Sequence, residues 1–310
     1  MQRGVQVTGT TPDRTCVREW CIGHGRAVKW SVGGDAGSSL CALMAIVNVT
    51  PDSFSDGGDH ATTERAAEHA LRCAEQGARI VDVGGESTRP GAARVADAEQ
   101  MARVLPVIRR LSAQLPSQVV ISVDTTRAAV ARAAVDAGAA IVNDVSGGTD
   151  DPQMLPTVAT LGCGVILMHR LCEPAQDSYS DRYTREPVYA DVVQDVLAVL
   201  RARCAAAEKA GIDATAVAVD PGLGFGKSVA QNIQLMERLH EFAVLAAPIV
   251  VSASRKSFIG ATTGEGNPKR RDAASVQAAI AMQSRGASIL RVHDVALHAA
   301  ALRAAGCCYH

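Results

Sequence analysis

The chain has 310 residues, of which 47% are hydrophobic, so it can build a sizeable core and wholesale disorder is excluded. Its 31 Lys and Arg residues nearly balance its 32 Asp and Glu residues, for a formal net charge of -1. That balance argues against a nucleic-acid partner and against binding to an anionic membrane surface. No stretch reaches the roughly 18 consecutive apolar residues of a membrane helix. Residues 1–37 lack the apolar block of a secretory signal.

The cysteine content indicates a reducing compartment. Nine cysteines form an odd set without a C-x-x-C pair, which is typical of scattered free thiols in a cytosolic protein. We therefore expect a cytoplasmic protein. The alternative is a metal or disulfide site formed by Cys16, Cys21 and His24.

From residue 42 onward, short apolar runs alternate with longer amphipathic stretches. The predicted strands are residues 42–49, 80–83, 119–123, 140–142, 164–168, 217–219, 249–251 and 288–292. Their runs of Val, Ile and Leu are typical of strands buried on both faces. Helical spacing marks residues 62–76, 96–114, 190–210, 230–242 and 272–285.

Eight strands, each followed by a helical stretch, predict an α/β fold of the (β/α)8 TIM-barrel type, and about 265 residues suit such a barrel. A doubly wound open sheet is the alternative, because alternation alone does not separate the two folds. Residues 1–41 are predicted to be an N-terminal extension or a hairpin that closes the barrel floor. Residues 42–310 are predicted to form the catalytic barrel domain.

A polar side chain lies at or just past the end of every predicted strand. These side chains are Asn48, Asp82, Asp124, Asn143, His169, Asp220, Lys256 and Arg291. The carboxyl ends of the strands build the active site in this kind of barrel. Burying such groups costs several kcal/mol unless a ligand or partner satisfies them. The pattern therefore predicts a ligand site at this rim.

Three loops are predicted to contribute to that site. Residues 48–58 and 84–91 are long, polar and rich in glycine, which favours a role as lids. Residues 221–228 (PGLGFGKS) match neither a Walker A loop nor a dinucleotide-binding loop, because Pro221 and Lys227 occupy positions where those motifs need glycine. Their glycines instead suggest a backbone that passes close to a flat ligand.

The loops after the seventh and eighth strands are the usual phosphate site of these barrels. Arg255 and Lys256 follow the seventh predicted strand, and Arg291 and His293 lie at the end of the eighth. Cations and a histidine at this position predict binding of an oligophosphate.

Seven motifs occur together and in order from residue 48 to residue 294. They are NVTPDSFSDGG (48–58), DVGGESTRPG (82–91), SVDT (122–125), ND (143–144), DPGLGFGK (220–227), SRKS (254–257) and RVHD (291–294). Together they resemble the dihydropteroate synthases, a family of pterin-binding TIM barrels that are targets of sulfonamides. The resemblance implies condensation of 6-hydroxymethyl-7,8-dihydropterin diphosphate with p-aminobenzoate. The products would be 7,8-dihydropteroate, an intermediate of folate biosynthesis, and pyrophosphate.

The resemblance also implies the roles of individual residues. The implied pterin-binding residues are Asp124, Asn143, Asp220 and Lys256. The implied catalytic residues are Asp124, Lys256 and Asp56, with Asp124 and Asp56 stabilising a pterin cation after pyrophosphate has left. The implied pyrophosphate-binding residues are Asn48, Thr88, Arg291 and His293, with Mg²⁺ bound to Asn48. The implied p-aminobenzoate-binding residues are Thr88, Arg89, Pro90, Phe225, Lys256 and Ser257. The family further implies a cytoplasmic homodimer.

Two departures from the family's pattern lie near this site. Ser252 stands where the family often has glycine, and residues 170–174 (RLCEP) replace a commoner Met-x-Gly-x-Pro segment. Three alternatives remain at this point: a pterin-binding methyltransferase, a non-catalytic pterin-binding module and a sulfonamide-insensitive enzyme. The methyltransferase gives no reason for the SRKS and RVHD motifs. The non-catalytic module gives none for keeping Asp56, Thr88 and Arg89.

Overall fold

A computed structural model describes residues 16–23, 27–32, 41–50 and 59–307. Asp56 and most of the first predicted lid, residues 48–58, lie outside the described residues, as does His24. The described chain begins with an antiparallel hairpin of two strands, β1 (Cys16–Cys21) and β2 (Ala27–Val32), paired in register from Cys16 with Val32 to Cys21 with Ala27.

Strands and helices then alternate along the rest of the chain. The strands are β3 (Ala42–Asn48), β4 (Ile80–Gly84), β5 (Val120–Asp124), β6 (Ile141–Asp144), β7 (Gly164–Met168), β8 (Val217–Asp220), β9 (Val250–Val251) and β10 (Ile289–Val292). The helices are α1 (Asp59–Glu75), α2 (Asp97–Gln114), α3 (Ala128–Asp136), α4 (Met154–Leu161), α5 (Val192–Lys209), α6 (Val229–Glu237), α7 (Ser257–Thr263), α8 (Asp272–Gln283) and α9 (Val295–Ala304).

The strands β3 to β10 form one parallel sheet that closes on itself. Its order is β8-β7-β6-β5-β4-β3-β10-β9. The two ends meet through a parallel bridge between Val219 and Ile249, where the Val219 amide donates to the carbonyl of Pro248 at 2.9 Å. A doubly wound sheet would leave both ends open. The predicted (β/α)8 barrel is confirmed.

The hairpin lies against the end of the barrel opposite the rim. Trp20 is fully buried and its indole nitrogen donates to the carbonyl of Ala216 at 2.9 Å. Trp20 and Ile22 share a cluster with inward-facing strand residues such as Met44. At Gly164 an added Cβ would lie 2.7 Å from a methyl group of Ile22, so the hairpin needs glycine there. The barrel floor is thus filled by apolar side chains, and the opposite end is left for the site.

One predicted helix differs in its extent. The helix predicted over residues 230–242 ends at Glu237, and a 3-10 helix follows over Leu239–Leu245. Arg238 leaves the helical region at φ -104° and ψ 21°, and its guanidinium binds Asp191 and Glu241. The 3-10 helix still buries Leu239 and Phe242, three residues apart, so the apolar spacing alone does not distinguish the two helix types. No helix of the described part of the chain is long and apolar enough to cross a membrane.

Candidate active site

The strand register brings the predicted rim residues to one level of the barrel. Asn48 pairs with Gly84, Gly84 with Asp124, and Asp124 with Asn143. A Cβ added at Gly84 would lie 3.4 Å from Cβ of Asp124 and 3.8 Å from Oδ1 of Asn48. Glycine at this position therefore leaves room between the two polar side chains that flank it.

Arg291 crosses the barrel mouth and joins two carboxylates. Its Nε donates to Oδ2 of Asp82 at 2.7 Å, and its Nη2 donates to Oδ2 of Asp124 at 2.8 Å. Asn143 donates through Nδ2 to the same oxygen of Asp82, at 3.0 Å. The sequence placed Asp82 on the rim without a role. The structure makes this fully buried carboxylate the group that holds both Arg291 and Asn143.

The electrostatics of Asp124 depend on that guanidinium. Burial raises the pKa of Asp124 above its usual value, the neighbouring carboxylates Asp82 and Asp144 raise it further, and Arg291 opposes them. Arg291 pairs with both Asp82 and Asp124, so one positive charge offsets two buried carboxylates. Arg291 therefore opposes the rise in the pKa of Asp124 that burial and the neighbouring carboxylates cause, in addition to any contact that it makes with a ligand.

Asp220 occupies the opposite side of the rim, at the end of β8. Its Oδ1 accepts the amide of Gly222 at 2.7 Å. Burial raises the pKa of Asp220, while the ammonium of Lys256 lowers it. Gly222 has φ +70°, and a Cβ there would lie 1.8 Å from the carbonyl oxygen of His169, so only glycine fits. The predicted close approach of backbone thus occurs, but toward a protein group.

Lys256 lies between Asp220 and an aromatic ring. Its Nζ donates to the carbonyl of Leu223 and lies 4.7 Å from the ring centroid of Phe225. Burial lowers the pKa of Lys256 to about 8, with Asp220 opposing the change. The ammonium is thus held by a carbonyl and a π face, and the charge of Asp220 favours its protonated form. The structure brings together Asp220, predicted to bind the pterin, Lys256, predicted to contact both substrates, and the predicted aromatic wall of Phe225.

Ser257 follows Lys256 and begins α7. Its Oγ accepts the amide of Ser180 at 3.0 Å. Because that bond uses a lone pair of the hydroxyl, its proton remains available to donate to an anion. The segment after β7 therefore fixes a predicted aminobenzoate contact, a role that the sequence does not indicate for this segment.

Several cations surround His293. Its Nδ1 lies 2.9 Å from Oγ of Ser254. Burial, and then Arg255, Arg291 and Arg89, lower the pKa of His293 to about 3. Arg255 is held by Asp272 through bonds of 2.7 and 2.9 Å. A neutral imidazole with three guanidinium groups around it suits a multiply charged anion, as predicted for the loops after the seventh and eighth strands.

The second predicted lid, residues 84–91, is tied to its surroundings at both ends. Oε2 of Glu86 accepts the amide of Val95 at 2.7 Å and Nε2 of Gln100 at 2.9 Å. The amide of Gly91 donates to the carbonyl of Pro174 at 2.7 Å. Between these anchors Thr88 and Pro90 are half-buried and Arg89 is exposed; these three residues are the predicted contacts of aminobenzoate. The structure therefore shows an anchored loop where the sequence favoured a lid.

An ionic clasp, formed by Arg94, Asp150, Arg170 and Glu173, adds to these anchors. Asp150 binds Arg94 at 2.8 Å and also binds Arg170, and the Arg170–Asp150 pair is only 8% exposed on either side chain. Arg94 also reaches Glu173, at 3.1 Å. The clasp joins the chain that follows residues 84–91 to the altered segment 170–174 and to the loop after β6. The departure of this segment from the family's pattern thus supplies an ion pair.

Ser252, Cys21 and the possibility of a metal site were also singled out by the sequence. Ser252 is buried directly after β9, close to the rim. Cys21 is an exposed free thiol. Within the described ranges, no group of three or more His, Cys, Asp or Glu side chains is arranged to hold a metal ion.

Fold and rim together define a (β/α)8 enzyme with a buried polar ligand site. Residues 44–293 match the family described as pterin binding enzyme. Among curated relatives, the dihydropteroate synthase of Mycobacterium leprae is 41% identical over 273 residues, which are 86% of this chain and 93% of that protein. A probable bifunctional folylpolyglutamate synthase/dihydropteroate synthase of Haloferax volcanii is 46% identical over 264 residues, or 85% of this chain, but the match spans only 30% of that protein's length.

Solved structures of dihydropteroate synthases superpose on this chain over most of its length. The dihydropteroate synthase of Xanthomonas albilineans with 4-aminobenzoic acid superposes with a TM-score of 0.81 at 44% identity, covering 94% of this chain and 97% of that one. The same enzyme in complex with 7,8-dihydropteroate gives a TM-score of 0.75 at 45% identity, covering 85% of this chain and 92% of that one. The chain therefore belongs to the pterin-binding enzyme family, and within it to the dihydropteroate synthases.

Proposed function

We propose that this chain condenses 6-hydroxymethyl-7,8-dihydropterin diphosphate with p-aminobenzoate, giving 7,8-dihydropteroate and pyrophosphate. One observation carries the proposal. Two buried carboxylates, Asp124 and Asp220, stand on opposite sides of one rim, with Lys256 beside Asp220 and Arg291 beside Asp124. A flat heterocycle with several N–H groups matches such a rim, because ionised carboxylates are strong acceptors of N–H bonds. The relatives described above, one bound to 4-aminobenzoic acid and one to 7,8-dihydropteroate, support the same assignment.

The pterin half of the site is built from Asp124, Asn143, Asp220 and Lys256. Asp220 gives one lone pair of Oδ1 to Gly222 and keeps the rest of its carboxylate for the 2-amino and N3 edge of the ring. Asn143 gives Nδ2 to Asp82, which leaves its Oδ1 as an acceptor for a ring N–H. Lys256 supplies the donor for the ring oxygen and N5.

The aminobenzoate half lies along Phe225, Lys256 and Ser257, with Thr88, Arg89 and Pro90 facing from the anchored loop. The π face of Phe225 suits a flat aryl ring, and the free hydroxyl proton of Ser257 suits its carboxylate. The arylamine nitrogen is neutral at pH 7 and needs no strong general base.

In the reaction, the bond between the pterin methylene carbon and the diphosphate oxygen breaks, and a bond between that carbon and the arylamine nitrogen forms. The amine then loses one proton to solvent or to the departing pyrophosphate. Positive charge develops on the pterin before the amine attacks. Asp124, assigned to the pterin wall, would stabilise that charge, and Asp56 is assigned the same role by the family resemblance.

The pyrophosphate end is assigned to Asn48, Thr88, Arg291 and His293, with Mg²⁺ at Asn48. The chemistry of Asn48 fits the metal, because an amide oxygen is a hard ligand and Mg²⁺ commonly combines one or two protein oxygens with substrate phosphate oxygens and water. When bound, Mg²⁺ would neutralise charge on the leaving group. The three arginines around His293 would supply the rest of the positive charge.

The test is release of pyrophosphate by the purified chain with both substrates, in the presence and absence of Mg²⁺. Release that requires both the pterin diphosphate and aminobenzoate, and that stops when EDTA removes the metal, supports the proposal. Release without aminobenzoate indicates a pyrophosphatase instead. No release with both substrates and Mg²⁺ contradicts the proposed function.

A homodimer in the cytoplasm completes the proposal. The buried free thiols of Cys73 and Cys163 suit a reducing compartment, and the dimer follows from the family resemblance. Light scattering should give twice the mass of the chain. A monomeric mass at micromolar concentration contradicts the dimer.

A further inference from the structure

A lysine without any solvent exposure lies under the turn that carries Phe225. Nζ of Lys227 lies 2.9 Å from Nδ1 of His169, 2.9 Å from the carbonyl oxygen of Gly222 and 2.8 Å from the carbonyl oxygen of Phe225. An ammonium has three N–H donors, and these three acceptors use all of them. The ammonium therefore has no donor left for a substrate.

His169 is matched to this lysine. Burial, and next the charge of Lys227, lower the pKa of His169 well below its usual value, so the imidazole is neutral. A neutral imidazole carries a lone pair on one nitrogen, and Nδ1 faces the ammonium as that acceptor. Burial lowers the pKa of Lys227 to about 7, while Asp220 opposes the change.

The carbonyls of the turn divide between two lysines. Lys227 binds the carbonyls of Gly222 and Phe225 from below, and Lys256 binds the carbonyl of Leu223 from the side of the site. The Phe225 carbonyl that Lys227 holds belongs to the residue whose ring faces the ammonium of Lys256. The Leu223 carbonyl and the Phe225 ring, which both contact the ammonium of Lys256, therefore belong to a turn that Lys227 fixes.

Three further bonds of the turn use its amides. The amide of Gly222 donates to Asp220, that of Gly224 to Asn232 at 2.6 Å, and that of Gly226 to Asp177 at 2.9 Å. These bonds do not involve Lys227. Its removal should take one partner from the Phe225 carbonyl, while the Gly222 carbonyl keeps the amide of Phe225 at 3.1 Å and the turn stays attached to the barrel.

We propose that Lys227, seated on His169, is a positioning residue for the aminobenzoate half of the site. It holds the 221–227 turn so that the Leu223 carbonyl and the Phe225 ring fix the ammonium of Lys256. It touches no substrate. The inference rests on the proposed function and deepens it, because it assigns the selectivity for the aryl substrate to a residue outside the binding surface.

The experiment measures steady-state kinetics with each substrate varied, and measures affinity for the pterin diphosphate by calorimetry. Lys227→Met keeps an unbranched side chain that is one atom shorter and removes the charge. We expect the KM for aminobenzoate to rise about tenfold or more, as for the loss of a hydrogen bond to a charged group. The pterin diphosphate Kd should change less than about threefold, because Lys256 is one of four assigned pterin contacts, whereas aminobenzoate loses the placement of both Lys256 and the Phe225 ring. Lys209→Met, on the exposed face of α5, is the matched control and should equal wild type.

A second comparison separates positioning from general support of the fold. If Lys227 acts through Lys256, then Lys227→Met should add little to the aminobenzoate KM of Lys256→Met, and the double variant should resemble the Lys256 variant alone. His169→Leu removes one acceptor of Lys227 and should raise the same KM. His169→Gln restores an acceptor and should return the KM toward the wild-type value.

Each outcome decides the proposal. An unchanged aminobenzoate KM in Lys227→Met overturns it, and so do equal losses for both substrates or full additivity with Lys256→Met. If Lys227→Met does not fold, the His169 pair decides by the same criteria. If wild type itself releases no pyrophosphate, the proposed function fails first, and that result is distinct from an active wild type with an equally active Lys227 variant.

Discussion

Arg291 and Asp124 form an ion pair across the mouth of the barrel, with Nη2 of the arginine 2.8 Å from Oδ2 of the aspartate. The same guanidinium binds Asp82, a carboxylate without solvent exposure, at 2.7 Å. Asp82 and Arg291 are separated by 209 positions in the chain and meet only because the strands close into a barrel. Arg291 therefore has a structural partner on the pterin wall as well as a predicted role toward pyrophosphate.

Replacing this arginine should weaken the fold as well as the activity. Arg291→Ala leaves two buried carboxylates without their cation, and breaking a buried pair costs about 3–5 kcal/mol of the free energy of unfolding. We also expect lower kcat and weaker binding of the pterin diphosphate. Because Asp82 also holds Asn143, binding of the unphosphorylated pterin should fall as well. Urea denaturation and calorimetry measure the two effects.

Two variants accompany that measurement. Adding Asp82→Asn to Arg291→Ala removes one of the orphaned charges and should restore part of the lost stability. Arg109→Ala, on the exposed face of α2, is the control and should change the free energy of unfolding by less than about 0.5 kcal/mol. A loss below about 1 kcal/mol in Arg291→Ala would show that the pair is not the support that its geometry indicates.

Asp220→Asn should abolish pterin binding while the fold is kept. The asparagine Oδ1 still accepts the amide of Gly222, so the turn after β8 is retained. The side chain loses its negative charge and one acceptor, and each charge-assisted bond contributes about 1.5–3 kcal/mol, or at least about tenfold in Kd. Calorimetry with the pterin diphosphate measures the effect, with Asp181→Asn in an exposed loop as the control. Near wild-type affinity would remove Asp220 from the pterin site.

The sequence was sufficient to predict the barrel and the ends of its strands. Strands such as Gly164–Met168 are buried on both faces and therefore read as continuous apolar runs. The polar residue after each run follows directly, which is why Asn143 and Asp220 were placed on the rim. The chemical roles came from long motifs that resemble a family and not from spacing.

The pairing of side chains could not be predicted in the same way. Arg291 contacts Asp82 and Asp124, and Lys227 contacts His169, only once the strands have closed into a barrel. The hydropathy pattern carries no information on which of these atoms meet. Lys227 also follows a glycine-rich run, which favours a solvated loop over full burial. The clasp at Arg170 lies in a segment without periodicity, where a charged residue is usually exposed.

The binding of aminobenzoate should weaken above pH 8. Burial lowers the pKa of Lys256 to about 8, with Asp220 raising it and Arg291 lowering it. The ammonium is charged below that pH and neutral above it, whereas the aminobenzoate carboxylate stays ionised throughout. We therefore expect the aminobenzoate KM to rise toward about tenfold per pH unit above pH 8.

Variants assign that pH dependence to one lysine. Lys256→Met should give a uniformly high aminobenzoate KM without the rise above pH 8. Lys227, whose pKa burial lowers to about 7, also titrates near this range, so Lys227→Met should keep a rise above pH 8 on its own raised baseline. A wild-type KM that stays constant from pH 7 to 9 would exclude Lys256 as the group that attracts the carboxylate.

The ionic clasp should determine what fraction of the free protein has residues 84–91 in the conformation that binds aminobenzoate. Arg170→Met removes the partner of Asp150 that is least exposed, and the tie between residues 84–91 and residues 170–174 then rests on Arg94 and on the bond from Gly91 to Pro174. We expect the aminobenzoate KM to rise about three- to tenfold, because a looser loop populates the binding-competent state less often. The Kd of the pterin diphosphate should stay within about twofold, since the clasp lies outside the pterin wall.

The same loop allows a sharper measurement by calorimetry. In wild type the loop is already anchored, so aminobenzoate should bind with similar affinity whether or not pyrophosphate is present. In Arg170→Met and in Asp150→Asn, prior pyrophosphate should improve its binding, because the ligand must then help to order the loop. The two changes should be less than additive in the double variant, since both break one ion pair. Arg132→Met, exposed on α3, serves as the control. If wild-type binding of aminobenzoate requires pyrophosphate as strongly as the variants do, the clasp does not preform the pocket, and closure over the leaving group orders the loop instead.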